Sequence, residues 1–137
     1  MVDISLTTTS RDGFDTESVI GDFALGIDPM NETGPDPNSV LVADYAACFL
    51  PAVRMGARRS GYHDLGKMEI EAEAELTDND DLQSISFTLK IEEDVEDPAE
   101  LVELGEQYCH VHTALREELH ADVTVETGAF ETASAAA

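Results

Sequence analysis

The segment from Val40 to Met55 is apolar on almost every face of the helix that its pattern predicts. Asp36 can cap the start of that helix, and Pro37 suits its first position. Pro51 removes an internal hydrogen bond and is expected to kink or loosen the helix. A helix that is apolar on nearly all sides must be buried on most of them, so this segment is predicted to be a central helix.

Alternating apolar residues predict strands on both sides of this helix. The strands before it are separated by a turn signal, Arg11-Asp12-Gly13. After the helix, two alternating runs predict a long antiparallel hairpin with one face in water. The predicted elements are strands at 2–8 and within 14–27, the helix from 36 to its last turns at 54–59, the hairpin 67–91, a second helix 97–119 and a last strand 121–126.

This order of elements predicts an α+β fold in which antiparallel sheets pack around the buried central helix. The pattern covers residues 1–126 as a single domain, and residues 127–137 are predicted to form a flexible tail. One further helix and one sheet cannot cover a helix that is apolar all round. We therefore expect a second copy of the chain to cover the rest, in an intertwined homodimer.

The charge of the chain is strongly negative, because 30 Asp and Glu residues face only 7 Lys and Arg, for a formal net charge of −23. Such a surface repels nucleic-acid backbones, which argues against DNA and RNA as partners. The acidic residues are spread through the patterned segments, and this distribution favours a halophilic source. The sequence has no run of 18 apolar residues and no export signal, so we expect a cytoplasmic protein without a membrane span.

Two cysteines, Cys48 and Cys109, are the only ones in the chain, and each falls within a predicted helix. They belong to no CxxC pair or ligand-spaced cluster, and in a reducing compartment such a pair is more often redox-active than a structural disulfide. The alternative is that both are small, inert core residues. Asp44 lies four residues before Cys48 and shares its face of the helix.

Histidines and arginines near these cysteines are further candidate site residues. His110 and His112 follow Cys109 closely, but zinc sites usually have tighter ligand pairs and a fourth ligand, so we expect surface histidines and no metal. The alternative is that these histidines adjust the chemistry of Cys109 from beside it. Three arginines near the end of the first helix are expected to neutralise the helix dipole and the acidic surface. The alternative is a site for an anionic reductant or substrate. These arginines are Arg54, Arg58 and Arg59.

Three segments together resemble the osmotically inducible protein C and organic hydroperoxide resistance family, the OsmC/Ohr proteins. The segment TSRDGF (9–14) is similar to the turn that supplies the family's active-site arginine, here Arg11. The segment PNSVLVADYAACFL (37–50) is similar to the family helix that carries the attacking cysteine, here Cys48. The segment CHVHTAL (109–115) is similar to the one that carries the resolving cysteine, here Cys109. With its charge, the chain resembles a haloarchaeal member.

The resemblance implies a homodimer that reduces organic hydroperoxides in oxidative-stress defence, with electrons from an external thiol or dithiol and no bound cofactor. It implies that Cys48 attacks the peroxide and becomes a sulfenic acid, that Cys109 then forms a disulfide with it, and that Arg11 stabilises the thiolate. Apolar side chains near Cys48 would form the pocket for an organic peroxide. We expect these to be Tyr45, Phe49 and Met55.

Two positions depart from the family pattern. The glutamate that holds the family's arginine is Asn38 here, and Asp44 could replace it as the partner of Arg11. The proline that usually follows the resolving cysteine is His110. These departures keep open an alternative function, a non-catalytic OsmC-like dimer that binds a small apolar ligand or senses oxidants.

Overall fold

The computed structural model of the chain describes residues 1–130. The chain divides into an N-terminal unit, Met1–Leu41, and a C-terminal unit that starts at Val42. Each unit contains one three-stranded sheet.

The sheet of the N-terminal unit is an antiparallel meander of β1 (Thr7–Thr9), β2 (Thr16–Ile20) and β3 (Phe23–Ile27). The predicted first strand, residues 2–8, is wrong in extent. Thr7 pairs with Val19, so β2 has only one residue left before it ends at Ile20 and the chain turns. Residues before Thr7 therefore find no strand partner in this sheet.

The long helix α1 spans Pro37–Arg59, so its predicted start at Asp36-Pro37 and its predicted last turns at Arg58 and Arg59 are confirmed. The capping prediction for Asp36 is confirmed, because its carboxylate accepts from the backbone N–H of Ser39 at 3.1 Å and from the Ser39 hydroxyl at 2.6 Å. Pro51 does not interrupt the helix. After Arg59 the backbone turns through Gly61 at φ +85°, a conformation that glycine adopts without a steric cost.

α1 has the length and composition of a helix that could cross a membrane. Six of its residues are buried, and all six belong to the C-terminal unit. They are Tyr45, Phe49, Ala52, Val53, Gly56 and Ala57.

The sheet of the C-terminal unit contains β4 (Met68–Leu76), β5 (Leu82–Ile91) and β6 (Asp122–Glu126). The predicted hairpin is confirmed, since β4 and β5 pair antiparallel from Met68↔Ile91 onward. β6, however, pairs parallel with β5, so the prediction of antiparallel sheets is wrong for this strand. The chain between β5 and β6 crosses over through helices, and a crossover of that kind returns the next strand in the parallel direction.

The second predicted helix, 97–119, is in fact three short helices. α2 (Pro98–Tyr108) starts as predicted, with the Asp97 carboxylate accepting from the backbone N–H of Glu100. It ends at Cys109, whose extended backbone (φ −85°, ψ 110°) turns the chain into α3 (His110–Ala114). A single 3₁₀ turn, η1 (Glu117–Leu119), follows. The prediction of one continuous helix is wrong, because the backbone leaves the helical region at Cys109.

The predicted tail begins at residue 127, and its first residues still bond to the sheet region. The backbone N–H of Gly128 donates to the Glu93 carbonyl at 3.2 Å, and that of Ala129 donates to the Ile91 carbonyl at 2.8 Å. Residues 131–137 lie outside the described residues. The single domain and the tail therefore stay predictions.

α2 approaches α1 closely where both helices carry a glycine. A Cβ atom at Gly105 would lie 2.8 Å from two ring carbons of Phe49 and 2.8 Å from a methyl group of Val53. A Cβ atom at Gly56 would lie 2.7 Å from the Cβ of Leu104. The lack of side chains at these two positions sets the distance between the helices.

We predict that Gly105→Ala lowers the free energy of unfolding by about 1–2 kcal/mol. Overpacking of a core costs about 1–3 kcal/mol, and contacts below 3.0 Å to both Phe49 and Val53 place this site in the upper part of that range. The gain in helix propensity from Gly to Ala, about 1 kcal/mol, offsets part of the cost. Urea unfolding measures the change. Gly26→Ala is the control, because nothing lies within 4 Å of a Cβ there. Equal stability of both variants would contradict the close helix packing.

Candidate active site

The two cysteines, both reduced, meet within the C-terminal unit. Cys48 lies on α1 and is partly exposed, whereas Cys109 forms the corner between α2 and α3 and is fully buried. The Cys48 thiol lies close enough to the Cys109 thiol to raise its pKa. The structure thus brings together the two thiols that the sequence singled out, and their catalytic roles stay predictions.

The pKa of the Cys109 thiol is raised to about 11. Burial is the largest cause, because the charged thiolate loses its solvation, and the interaction with the Cys48 thiol raises the pKa further. The backbone N–H of His112, which donates to the Cys109 sulfur at 3.3 Å, acts in the opposite direction. At neutral pH, Cys109 is therefore a protonated thiol.

A buried hydrogen-bond network lies next to Cys109. The Tyr45 hydroxyl accepts from the backbone N–H of Ala121 at 3.0 Å and lies 2.6 Å from Nδ1 of His112. In the neutral tautomer that carries its hydrogen on Nε2, the His112 ring accepts the Tyr45 hydroxyl hydrogen at Nδ1. Burial raises the pKa of Tyr45 and lowers that of His112, and the nearby His120 ring, stacked at 3.8 Å, lowers the His112 pKa further.

The prediction of surface histidines is therefore wrong for His112, which is half-buried and bonded to the core. His110 is exposed, as predicted, and occupies the first position of α3, where proline is also well suited. Within residues 1–130, no three His, Cys, Asp or Glu side chains are grouped to hold a metal ion.

A pocket of about 470 Å³ opens beside Cys48, and its walls are mainly apolar. Three of its residues follow Cys48 along α1 at spacings of four, three and four, so they share one face of the helix. Arg59 is the last of them, and its guanidinium carbon lies 5.2 Å from the centre of the Tyr108 ring. The lining residues are Cys48, Pro51, Ala52, Met55, Arg59, Tyr108 and His110.

Of the three residues predicted to form a peroxide pocket, only Met55 lines this one. Tyr45 and Phe49 are fully buried core residues whose rings make edge contacts with Phe87 of β5. The helical spacing from Cys48 through residues 52, 55 and 59 was present in the sequence and could have identified Arg59. Tyr108 and His110 could not be found this way, because their place depends on the α2–α3 corner.

Arg11 lies in the loop between β1 and β2 of the N-terminal unit and is exposed. It lines a pocket of about 330 Å³ together with other residues of the same unit, among them Asp15 and Glu17. Asn38 lies in the first turn of α1 and is half-buried, and Asp44 lies farther along α1 and is exposed. The roles of these three residues stay predictions.

Comparison with known proteins now identifies the family. The sequence model described as "OsmC-like protein" matches residues 30–126, most of the chain. The chain belongs to the OsmC-like protein family. An uncharacterized protein of the haloarchaeon Haloferax volcanii is 55% identical over 132 residues, which is 95% of this chain and the whole of that protein.

Solved structures of OsmC-like proteins share the fold of this chain. The crystal structure of an OsmC-like protein from Mycoplasma pneumoniae matches with a TM-score of 0.80 at 17% identity, over 92% of this chain and 97% of that one. An organic hydroperoxide resistance protein OsmC from Legionella pneumophila matches with a TM-score of 0.69 at 20% identity, over 92% of this chain and 99% of that one. The α+β class and the OsmC-like fold predicted from the sequence are confirmed.

We predict that the Cys109 thiol of the folded protein titrates well above its ordinary pKa of 9.0. Between these two pKa values, the folded state keeps the thiol proton that the unfolded state loses. The stabilisation from this thiol is therefore complete below pH 9 and is lost as the pH rises through about 11. The absorbance of the thiolate near 240 nm, taken as the difference between Cys48→Ser and Cys48→Ser/Cys109→Ser, measures the midpoint. A midpoint at or below 9 would contradict the effect of burial.

We also predict that Tyr45→Phe lowers the free energy of unfolding by about 1–3 kcal/mol, because the buried N–H of Ala121 and Nδ1 of His112 both lose their partner. Tyr62→Phe is the matched control. It removes one hydroxyl that bonds to the Glu100 carboxylate in an exposed place, so its effect should be under about 1 kcal/mol. Urea unfolding compares the two, and a larger loss for Tyr62→Phe would contradict the network.

Proposed function

We propose that this OsmC-like protein is a cytoplasmic, cysteine-based hydroperoxide reductase that acts in oxidative-stress defence. The observation that carries the proposal is the proximity of the Cys48 and Cys109 thiols, together with a mainly apolar pocket that Cys48 lines. An apolar pocket suits an organic hydroperoxide, and a pair of adjacent thiols can exchange two electrons without a bound cofactor. The names of structural relatives, such as the organic hydroperoxide resistance protein of Legionella pneumophila, support the same reaction class.

The reaction proceeds in three steps. The Cys48 thiolate attacks the outer oxygen of the hydroperoxide, the O–O bond breaks, and the alcohol leaves after taking up a proton while Cys48 becomes a sulfenic acid. The Cys109 sulfur then attacks the sulfenic sulfur, and the disulfide forms with loss of water. An external thiol or dithiol reduces the disulfide and returns both cysteines to the starting state.

Burial supports this division of roles between the cysteines. Cys48 is partly exposed and lines the pocket, so a substrate can reach its sulfur. Cys109 is fully buried and, with its raised pKa, stays protonated at neutral pH. A protonated, inaccessible thiol is a poor first nucleophile, but it is well placed to trap a sulfenic acid next to it.

Arg11 enters the proposal through the resemblance of its turn to the family's arginine turn. A guanidinium stays charged at all relevant pH values and can stabilise both a thiolate and a peroxide oxygen. Because Asn38 stands where the family has a glutamate, Asp44 is proposed as the acid that holds Arg11.

A homodimer is part of the same proposal. In the C-terminal unit, the apolar row of β4 is exposed at Ala72, Ala74 and Leu76, although the paired row of β5 is buried. In the N-terminal unit, Phe14 and Phe23 are 72% and 75% exposed. Apolar surfaces of this kind are typical of faces that a second copy covers.

The second candidate function is a non-catalytic dimer that binds a small apolar ligand or senses oxidants. The apolar walls of the Cys48 pocket favour it, together with the loss of the family glutamate at position 38. In this case, the disulfide would form once, slowly and stoichiometrically, and would not be recycled.

We predict that the wild type consumes tert-butyl hydroperoxide over many turnovers with a dithiol such as dihydrolipoamide, and that Cys48→Ser does not. Cys109→Ser should still react once, because the attacking thiol remains, and its sulfenic acid should be trapped by dimedone and detected by mass spectrometry. Cys48→Ser should yield no dimedone adduct.

Equal consumption by the wild type and Cys48→Ser would overturn the proposal. Formation of a Cys48–Cys109 disulfide without continued consumption would favour the oxidant sensor. The absence of any reaction at either cysteine in the folded protein would leave two inert core thiols.

A further inference from the structure

The Cys48 pocket extends along α1 and has a positive charge at its far end. Cys48 and Arg59 are eleven residues apart on one continuous helix, which separates their Cα atoms by about 16 Å at 1.5 Å per residue. The wall between them is apolar, formed by Ala52 and Met55 from α1 with Tyr108 from the end of α2. The pocket thus has a thiol at one end, an apolar middle and a guanidinium at the other end.

Arg59 has no acidic partner in the part of the chain that the structure describes. The ion pairs found there are Arg54–Asp64 and Lys90–Glu71. Arg54 also donates to the carbonyl of Gly66, so it is held by the protein itself. Arg59 instead lies over the Tyr108 ring, an attraction that holds the guanidinium without neutralising it.

An unneutralised guanidinium is notable on a chain with 30 acidic and only 7 basic residues. The overall charge of −23 repels an anionic ligand from most of the surface. Arg59 is therefore a place where such a ligand gains an attractive charge, and its planar fork of donors matches a carboxylate or phosphate. The neighbouring Arg58 is also exposed but does not line the pocket.

We propose that Arg59 is a specificity-determining residue that binds the anionic end of an amphipathic hydroperoxide whose apolar chain lies on Ala52, Met55 and Tyr108. This inference rests on the proposed function, since it assigns the substrate class of the same site. Helical side chains lean toward the amino terminus, so the guanidinium can reach back toward Cys48. The anionic group should therefore lie on the order of 10 Å or more from the hydroperoxide, the length of a medium to long alkyl chain.

The test compares 12-hydroperoxydodecanoic acid with its methyl ester, at one salt concentration, by kcat/KM with a dithiol donor. The ratio of acid to ester should fall about two- to fivefold in Arg59→Gln, the loss expected when an exposed charge pair is removed. Arg58→Gln removes the same charge one residue away and should leave the ratio unchanged. Arg59→Lys should keep most of the wild-type ratio, because it keeps the charge.

Two outcomes overturn the inference. The first is an acid-to-ester ratio in Arg59→Gln equal to that of the wild type. The second is an equal fall in Arg58→Gln and Arg59→Gln, which would show a general effect of net charge. A shorter probe, 6-hydroperoxyhexanoic acid against its ester, should show no dependence on Arg59, because its two ends cannot span the pocket.

A binding measurement separates this inference from the proposed function. Dodecanoate carries the anionic end and the alkyl chain but no peroxide, so its affinity for the wild type, measured by calorimetry, does not depend on catalysis. Weaker binding to Arg59→Gln than to Arg58→Gln, with no turnover of tert-butyl hydroperoxide by the wild type, would support the Arg59 site and refute the reductase. The opposite outcome is that the wild type turns over tert-butyl hydroperoxide and the two variants bind dodecanoate equally well. It would support the reductase and refute the Arg59 site.

Discussion

The close packing of α2 on α1 is the contact on which the rest of the candidate site depends. It is possible because Gly56 and Gly105 leave no side chain between the helices, so the ring of Phe49 lies directly against the backbone of α2. Four residues after Gly105, the chain reaches Cys109, which this packing buries against Cys48. A larger residue at either glycine would separate the helices and, with them, the two thiols.

The sequence predicted the elements of the fold well where its apolar residues recur at the regular spacing of a strand or helix. The hairpin of β4 and β5 followed from strict alternation, and the start of α1 followed from Asp36 and Pro37. The predicted length of β1 was too great, because a strand also needs a pairing partner and β2 ends at Ile20. The direction of β6 could not be read from its own residues, since it is set by the crossover that precedes it.

The site was predictable at its cysteines and much less so around them. The apolar stripe of α2 appeared to continue to Leu119, and nothing in the residue pattern marked Cys109 as the point where the backbone leaves the helix. The corner at Cys109 determines which side chains join the pocket, among them Tyr108 and His110. Tyr45 and Phe49 were misplaced for a related reason, because an all-apolar helix does not show which of its faces meets the sheet.

The sulfur of Cys109 also has a structural task, because it accepts the backbone N–H of His112 at the start of α3. A single atom thus serves as a helix cap and as half of a thiol pair. His112 continues the connection through its ring to Tyr45 and from there to Ala121, just before β6. Hydrogen bonds thus connect one sulfur to the backbone of α3 and, through His112 and Tyr45, to the edge of the sheet. A change in the oxidation state of Cys109 therefore changes the surroundings of the backbone amides of His112 and Ala121.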